Sequence, residues 1–199
     1  MKYESISTKI IELKDDDLNL RNELIQSGEL RDGYHRELED LHNRNAEILD
    51  NIMDEISYPS IDKVGEEAHE ATWLIIQHSI GQPDFMKKCA KLLEKAVFEN
   101  EANPKHLAYL TDRIAVHEGK PQLYGSQFDW NEMGELSPQF FDDLIKVNRR
   151  RLAIGLNTLE DQTEIIRQIA NDENQKPPLD FEKRKNQINE WRKSVGWKK

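Results

Sequence analysis

The chain has 199 residues, 37% hydrophobic and 33% charged, with 38 acidic against 28 basic side chains and a formal charge of −10. That balance suits long helices with one wet face, and nine glycines and seven prolines are too few for a turn-rich β-sandwich. The acidic excess excludes broad binding to nucleic acid or anionic membranes, because such surfaces need cations to displace phosphate counterions.

Apolar residues at Ile6, Ile10, Leu13, Leu20 and Leu24 predict a first helix over 6–26, which Ser27-Gly28 breaks. A second helix is predicted from Leu30 to Ile56 on the stripe Leu38, Leu41, Ile48, Leu49, Ile52 and Met53, with Gly33 weakening its first turn. Two long amphipathic helices joined by a short break imply an antiparallel hairpin. Ser57-Tyr58-Pro59-Ser60 ends it, since proline cannot continue the ladder and drives the preceding residue towards an extended conformation.

The next predicted helix, 62–79, is apolar all round from Ala71 to Ile76 and therefore buried. After Gly81-Gln82-Pro83, a helix over 84–100 places Phe85, Cys89, Leu92 and Leu93 on one side. Asn103-Pro104 is a helix start, with asparagine as N-cap and proline at the first helical position. That helix runs to Glu118-Gly119, where glycine fits the left-handed residue after a helix. Over 122–136 the period changes, and a turn near Asn131 to Gly134 predicts a small β-hairpin or ordered loop. Helices resume over 137–154 and 158–170, Asn174 to Pro178 is a linker, and a charged helix over 180–195 follows.

The expected fold class is thus mainly all-α, a helical bundle with a long N-terminal hairpin. The expected organisation is a hairpin over 1–56, a core with the candidate site over 57–171, and a linker with a charged helix over 172–199. Cys89 is the only cysteine, so there is no intrachain disulfide. Met1 to Ser5 leads into no long apolar run, and the longest apolar stretch, Trp73 to Ile76, is too short to span a bilayer. A cytoplasmic location without membrane association is the expectation.

The candidate site lies between Gly65 and Gln127. His78 follows Ala71 and Ile75 on one stripe of an apolar helix. It reads either as a general acid or base, imidazole being the side chain that titrates near neutrality, or as a core histidine anchored near a helix C-terminus. Asp112 and Arg113 point different ways from one helix, so each needs its own partner. Arg113 offers a planar fork for an anion and Asp112 a carboxylate to orient His78 or a bound amine, unless both tie helices together.

The segment from Gly119 to Gln127 sets Gln122, Tyr124, Ser126 and Gln127 among permissive glycines. Amide side chains supply donors and acceptors for a peptide, amide or base edge, or alternatively satisfy the backbone of a structural loop. His78 and Asp112 are therefore the candidate catalytic residues, and Gln77, Arg113, Gln122, Tyr124 and Gln127 the candidate substrate-binding ones. Ser126 lies in no nucleophile elbow. The pairs His35/His42 and Glu66/His69 do not match a His-Glu-x-x-His motif, so no metal or cofactor is expected. Arg149-Arg150-Arg151 offers charge for an anion but reads first as a solvated face or as ion pairs with the acidic N-terminal helices.

Three motifs, Gln77-His78, Leu107 to Arg113, and Gly119-Lys120-Pro121-Gln122-x-Tyr124-Gly125-x-Gln127, resemble a bacterial family known only as a domain of unknown function. The resemblance takes in Asn45, Pro59, Gly65, Arg151 and Gly155-Leu156, and runs from about Asp17 to Leu159. Ser57-Tyr58-Pro59 stands where Gly-Trp-Pro is expected, His42 where an aspartate is, and Ser126 where threonine is usual. It implies no particular activity or cofactor, and the segment after Asn171 falls outside it.

Two function classes follow. One is an enzyme acting on a small polar or peptide-like substrate. The other is a binding module in which the polar residues hold a loop and the N-terminal hairpin presents a surface to a protein partner.

Overall fold

Residues 2–29 and 34–198 are described by a computed structural model. Among them are nine helices and one two-stranded antiparallel sheet, so the protein is mainly all-α. No helix among the described residues is long and apolar enough to cross a membrane. By its internal contacts the chain divides into two units, Met1–Asn103 and Pro104–Lys199.

The N-terminal unit holds α1 (Glu4–Gln26), α2 (Arg36–Ile56), α3 (Ile61–Val64), α4 (Glu66–His78) and α5 (Pro83–Phe98). Helices α1, α2 and α4 pack against one another. The carboxamide of Asn45 donates to the carbonyl of Leu13 at 3.1 Å while His42 meets Asp17, so α2 runs antiparallel to α1. Ile10, Leu49, Ile75, Ile76, Met86 and Leu93 are almost wholly buried, each worth roughly 1.5–3 kcal/mol. Lys88 of α5 reaches Asp50 and Asp54 of α2.

The predicted start of the second helix at Leu30, with Gly33 in its first turn, lies outside the described residues. Tyr34 and His35 are not helical, and α2 begins at Arg36. The single helix predicted over 62–79 is two. Gly65 divides α3 from α4 at φ +83, a conformation that residues with a Cβ avoid.

The C-terminal unit holds α6 (Pro104–Glu118), β1 (Phe128–Trp130), β2 (Leu136–Pro138), α7 (Leu144–Ala153), α8 (Leu159–Asp172) and α9 (Phe181–Ser194). Strand β1 pairs with β2 in the register Phe128↔Pro138, Asp129↔Ser137, Trp130↔Leu136. The side-chain oxygen of Asn131 accepts from the N–H groups of Met133 and Glu135 and so closes the turn.

The helix predicted from Ser137 begins only at Leu144. The backbone of the preceding segment is engaged elsewhere: Gln122 N–H donates to the carbonyl of Phe140, and Asp142 N–H donates to that of Gln122. Asp143 then caps α7 by accepting from Lys146 N–H at 3.0 Å. Helix α9 is capped likewise by Asp180. It carries Trp191 against the ring of His117 of α6, edge-on at 5.7 Å, and Trp197, just past its end, stacks on the same ring at 5.0 Å.

Candidate functional site

In the N-terminal unit three helices converge on one carboxylate. Asp17 lies seven residues after Ile10 and four after Leu13 on the buried stripe of α1, and its side chain is 1% exposed. Helical spacing places it under the core as it would a leucine. His42 occupies the stripe of α2 between Leu38 and Asn45, and His78 ends α4 three residues after Ile75.

The Nδ1 atom of His78 is 2.6 Å from Asp17 Oδ2, and Nε2 of His42 is 3.1 Å from Asp17 Oδ1. The two rings stand 5.1 Å apart. The hydroxyl of Tyr34 lies 2.6 Å from Nδ1 of His42 and donates to the carbonyl of His78 at 3.2 Å. Burial alone would raise Asp17, but the hydrogen bonds and charges of both histidines outweigh it and hold the carboxyl well below its ordinary range. A sealed carboxylate thus faces two imidazoles, and His78, with a quarter of its side chain exposed, is the one nearest solvent. When Nδ1–H donates to Asp17, Nε2 keeps its lone pair.

The partner of His78 is therefore Asp17. Asp112, expected to orient it, has its acceptor sites taken. In the C-terminal unit Asp112 is fully buried on α6. Its Oδ1 accepts from the N–H groups of Leu123 and Tyr124 at 2.7 and 3.1 Å, and its Oδ2 from that of Ser126 at 2.9 Å. Burial pushes its carboxyl up, and the three amides draw it part of the way back.

Gln122 completes the loop. Its Nε2 donates to the carbonyls of Gln127 and Gln139 at 3.0 and 2.9 Å, and its Oε1 accepts from Gln127 N–H at 2.7 Å. Arg113 Nε donates to the side-chain oxygen of Gln127 at 3.1 Å. Tyr124 is half-buried, with its N–H on Asp112 and its carbonyl on Arg151. Gln77, at the end of α4 in the N-terminal unit, is 4% exposed.

The reading of Arg149-Arg150-Arg151 as a solvated face or as ion pairs with the N-terminal helices fails at two positions. Arg151 is wholly buried and donates to the carbonyls of Tyr124 and Asn157 and to the side chain of Asn157. Arg150 pairs with Asp142 at 3.0 Å.

Asp17 and Tyr34 are the residues that sequence reasoning passed over as site residues, and His42 it weighed only beside His35 and as a departure from an expected aspartate. The available signal was an acid and an imidazole on otherwise apolar stripes, where a lone charged group is costly unless partnered.

The geometry defines a mainly helical protein in which two histidines share one buried carboxylate. Residues 8–173, most of the chain, match the model of a family of unknown function, DUF6624, and the chain belongs to that family. Helix α9 lies beyond the matched residues. No match was found among curated proteins or solved structures.

Proposed function

We propose that the protein is an enzyme acting on a small polar or peptide-like substrate, with Asp17, His42 and His78 as its reacting centre. The observation that carries this reading is the 2.6 Å contact between His78 and a carboxylate sealed from water, in a side chain that itself reaches solvent. A carboxylate so placed fixes the ring and stabilises its cation once a proton is taken, the arrangement of a general base. A bacterial, cytoplasmic setting belongs to the same reading. Its support is the family resemblance and Cys89, a buried thiol that burial pushes up and that pairs with no other cysteine.

A second reading, a binding module, draws support from the C-terminal unit. There Asp112 and Gln122 are wholly buried and spend their hydrogen bonds on the loop. In that reading Arg113, Tyr124 and Gln127 are scaffold rather than substrate contacts.

The test is incubation of the protein with a small-molecule extract, followed by untargeted mass spectrometry of wild type beside His78→Ala and Asp17→Asn. The enzyme reading expects compounds consumed by wild type and turned over at least about 100-fold more slowly by either variant, the usual worth of a positioned base. Consumption that is equal in wild type and variants, or absent from all three, sinks it in favour of the module.

A further inference from the structure

We infer that Asp17, His42 and His78 together bind one divalent transition-metal ion of the zinc or cobalt kind, an inference that rests on the reading of this cluster as a reacting centre. Two imidazole nitrogens and one carboxylate are the donor set of such ions in open, catalytic sites. Each donor comes from a different helix, α1, α2 and α4, and the three ligating atoms all lie within 4.8 Å of one another. Donors bonded to one ion at about 2.0–2.2 Å stand roughly 3–3.5 Å apart. The Asp17–His42 separation of 3.1 Å already meets that spacing, and the 2.6 Å Asp17–His78 contact needs only a small opening.

Tyr34 supplies an independent argument. Its hydroxyl has one proton, which it directs to the carbonyl of His78 at 3.2 Å. With the proton so directed, its oxygen is left to accept from His42 in the tautomer that carries the hydrogen on Nδ1, 2.6 Å away. In the neutral ring this leaves the lone pair of His42 on Nε2, aimed at Asp17 Oδ1 3.1 Å away. In that tautomer a cation bridges the two atoms, whereas in the other a proton on Nε2 does so as a hydrogen bond to Asp17. A histidine whose far nitrogen donates to a fixed oxygen is the usual outer-sphere partner arrangement of a metal ligand.

Ion binding replaces the two hydrogen bonds to Asp17. Both imidazoles bind as neutral rings through their lone pairs, so a proton on His42 Nε2 or His78 Nδ1 moves to the far nitrogen or to solvent. Three protein donors leave a coordination position for water or substrate on the side that His78 leaves open. Activation of water then passes from the imidazole of His78 to the ion.

The test uses the full chain, stripped with a chelator and titrated with Zn2+ by calorimetry and with Co2+ by visible absorption. The inference expects one ion per chain, d–d bands of a low-symmetry nitrogen–oxygen site, and a raised melting temperature with Zn2+. Tyr34→Phe removes no donor and lowers affinity by about 10–100-fold, and His42→Ala lowers it further, with helical circular dichroism retained. An ion bound as tightly by both variants as by wild type, or no ion bound at all, overturns it. Turnover that needs His78 but survives the chelator overturns the ion and leaves the enzyme reading standing. Ion binding that follows the variants in a protein without turnover keeps the ion and overturns the enzyme.

Discussion

The carboxylate of Asp112 and the carboxamide of Gln122 share the backbone N–H groups of one loop. Asp112 takes the N–H groups of Leu123, Tyr124 and Ser126, and Gln122 takes that of Gln127. Neither side chain is exposed, so water does not stand in for either. The loop is irregular in backbone, yet four of its N–H groups are held by these two side chains, which tie it down without secondary structure.

Gln122→Ala leaves the half-buried N–H of Gln127 and the carbonyls of Gln127 and Gln139 without this partner. The expected loss is about 3 kcal/mol, seen as a fall of roughly 6–12 °C in melting temperature. A fall of under about 2 °C would mean that the loop is held without the glutamine.

Arg151→Lys tests geometry at constant charge. Arginine spans Tyr124 and Asn157 with three donors from a buried position, and an ammonium cannot reproduce that fork. Loss of about 2–3 kcal/mol in a urea titration is expected, one charge-assisted bond's worth. An unchanged midpoint would show that the third donor is dispensable.

Much of this was legible in advance. Periodicity gave the helices, because burial of one stripe is a local property of spacing, and Asn103-Pro104 and Gly119 marked α6 to the residue. The Gln122–Gln127 segment stood out by composition alone. Three things were not legible. The partner of His78 is 61 residues away on α1, and no local pattern says which of many carboxylates lies opposite. The start of α7 depends on the pairing of Gln122 with the 140–142 backbone, a long-range competition that overrides helix propensity. The break at Gly65 was hidden because apolar spacing continues across it.

Gly125 sits at φ +63, and a Cβ there would lie 2.8 Å from a terminal carbon of Leu159, itself 2% exposed. Gly125→Ala therefore combines left-handed strain with overpacking, and roughly 2–4 kcal/mol of destabilisation is expected. Gly28→Ala, at φ +72 with nothing within 4 Å, is the control and bears the strain alone. Equal losses in the two variants would count against tight packing of Leu159.

Acid should loosen the C-terminal unit through His117. Burial, then the charges of Arg192 and Arg113, lower this imidazole to about 3. Between that value and the unfolded one of about 6.5, the ring is neutral in the fold and charged in the open chain. Stability from this group is full above about pH 6.5 and declines as pH falls, by up to about 1.4 kcal/mol per pH unit. His117→Phe should flatten that part of the curve in chemical unfolding from pH 7 to pH 4. A variant as acid-sensitive as wild type would assign the loss to other groups.

The contact of His117 with Trp191 and Trp197 also makes the molecule its own optical gauge. Imidazolium quenches a neighbouring indole by accepting an electron from its excited state, and the neutral ring does so far less. Trp191 and Trp197, two of the four tryptophans, therefore carry a signal of the His117 proton. Dimming without a wavelength change marks a proton arriving while α9 stays docked. A red shift marks water reaching the indoles as the helix lifts. The segment outside the matched family thus reports, in the colour and brightness of its own emission, whether it is seated.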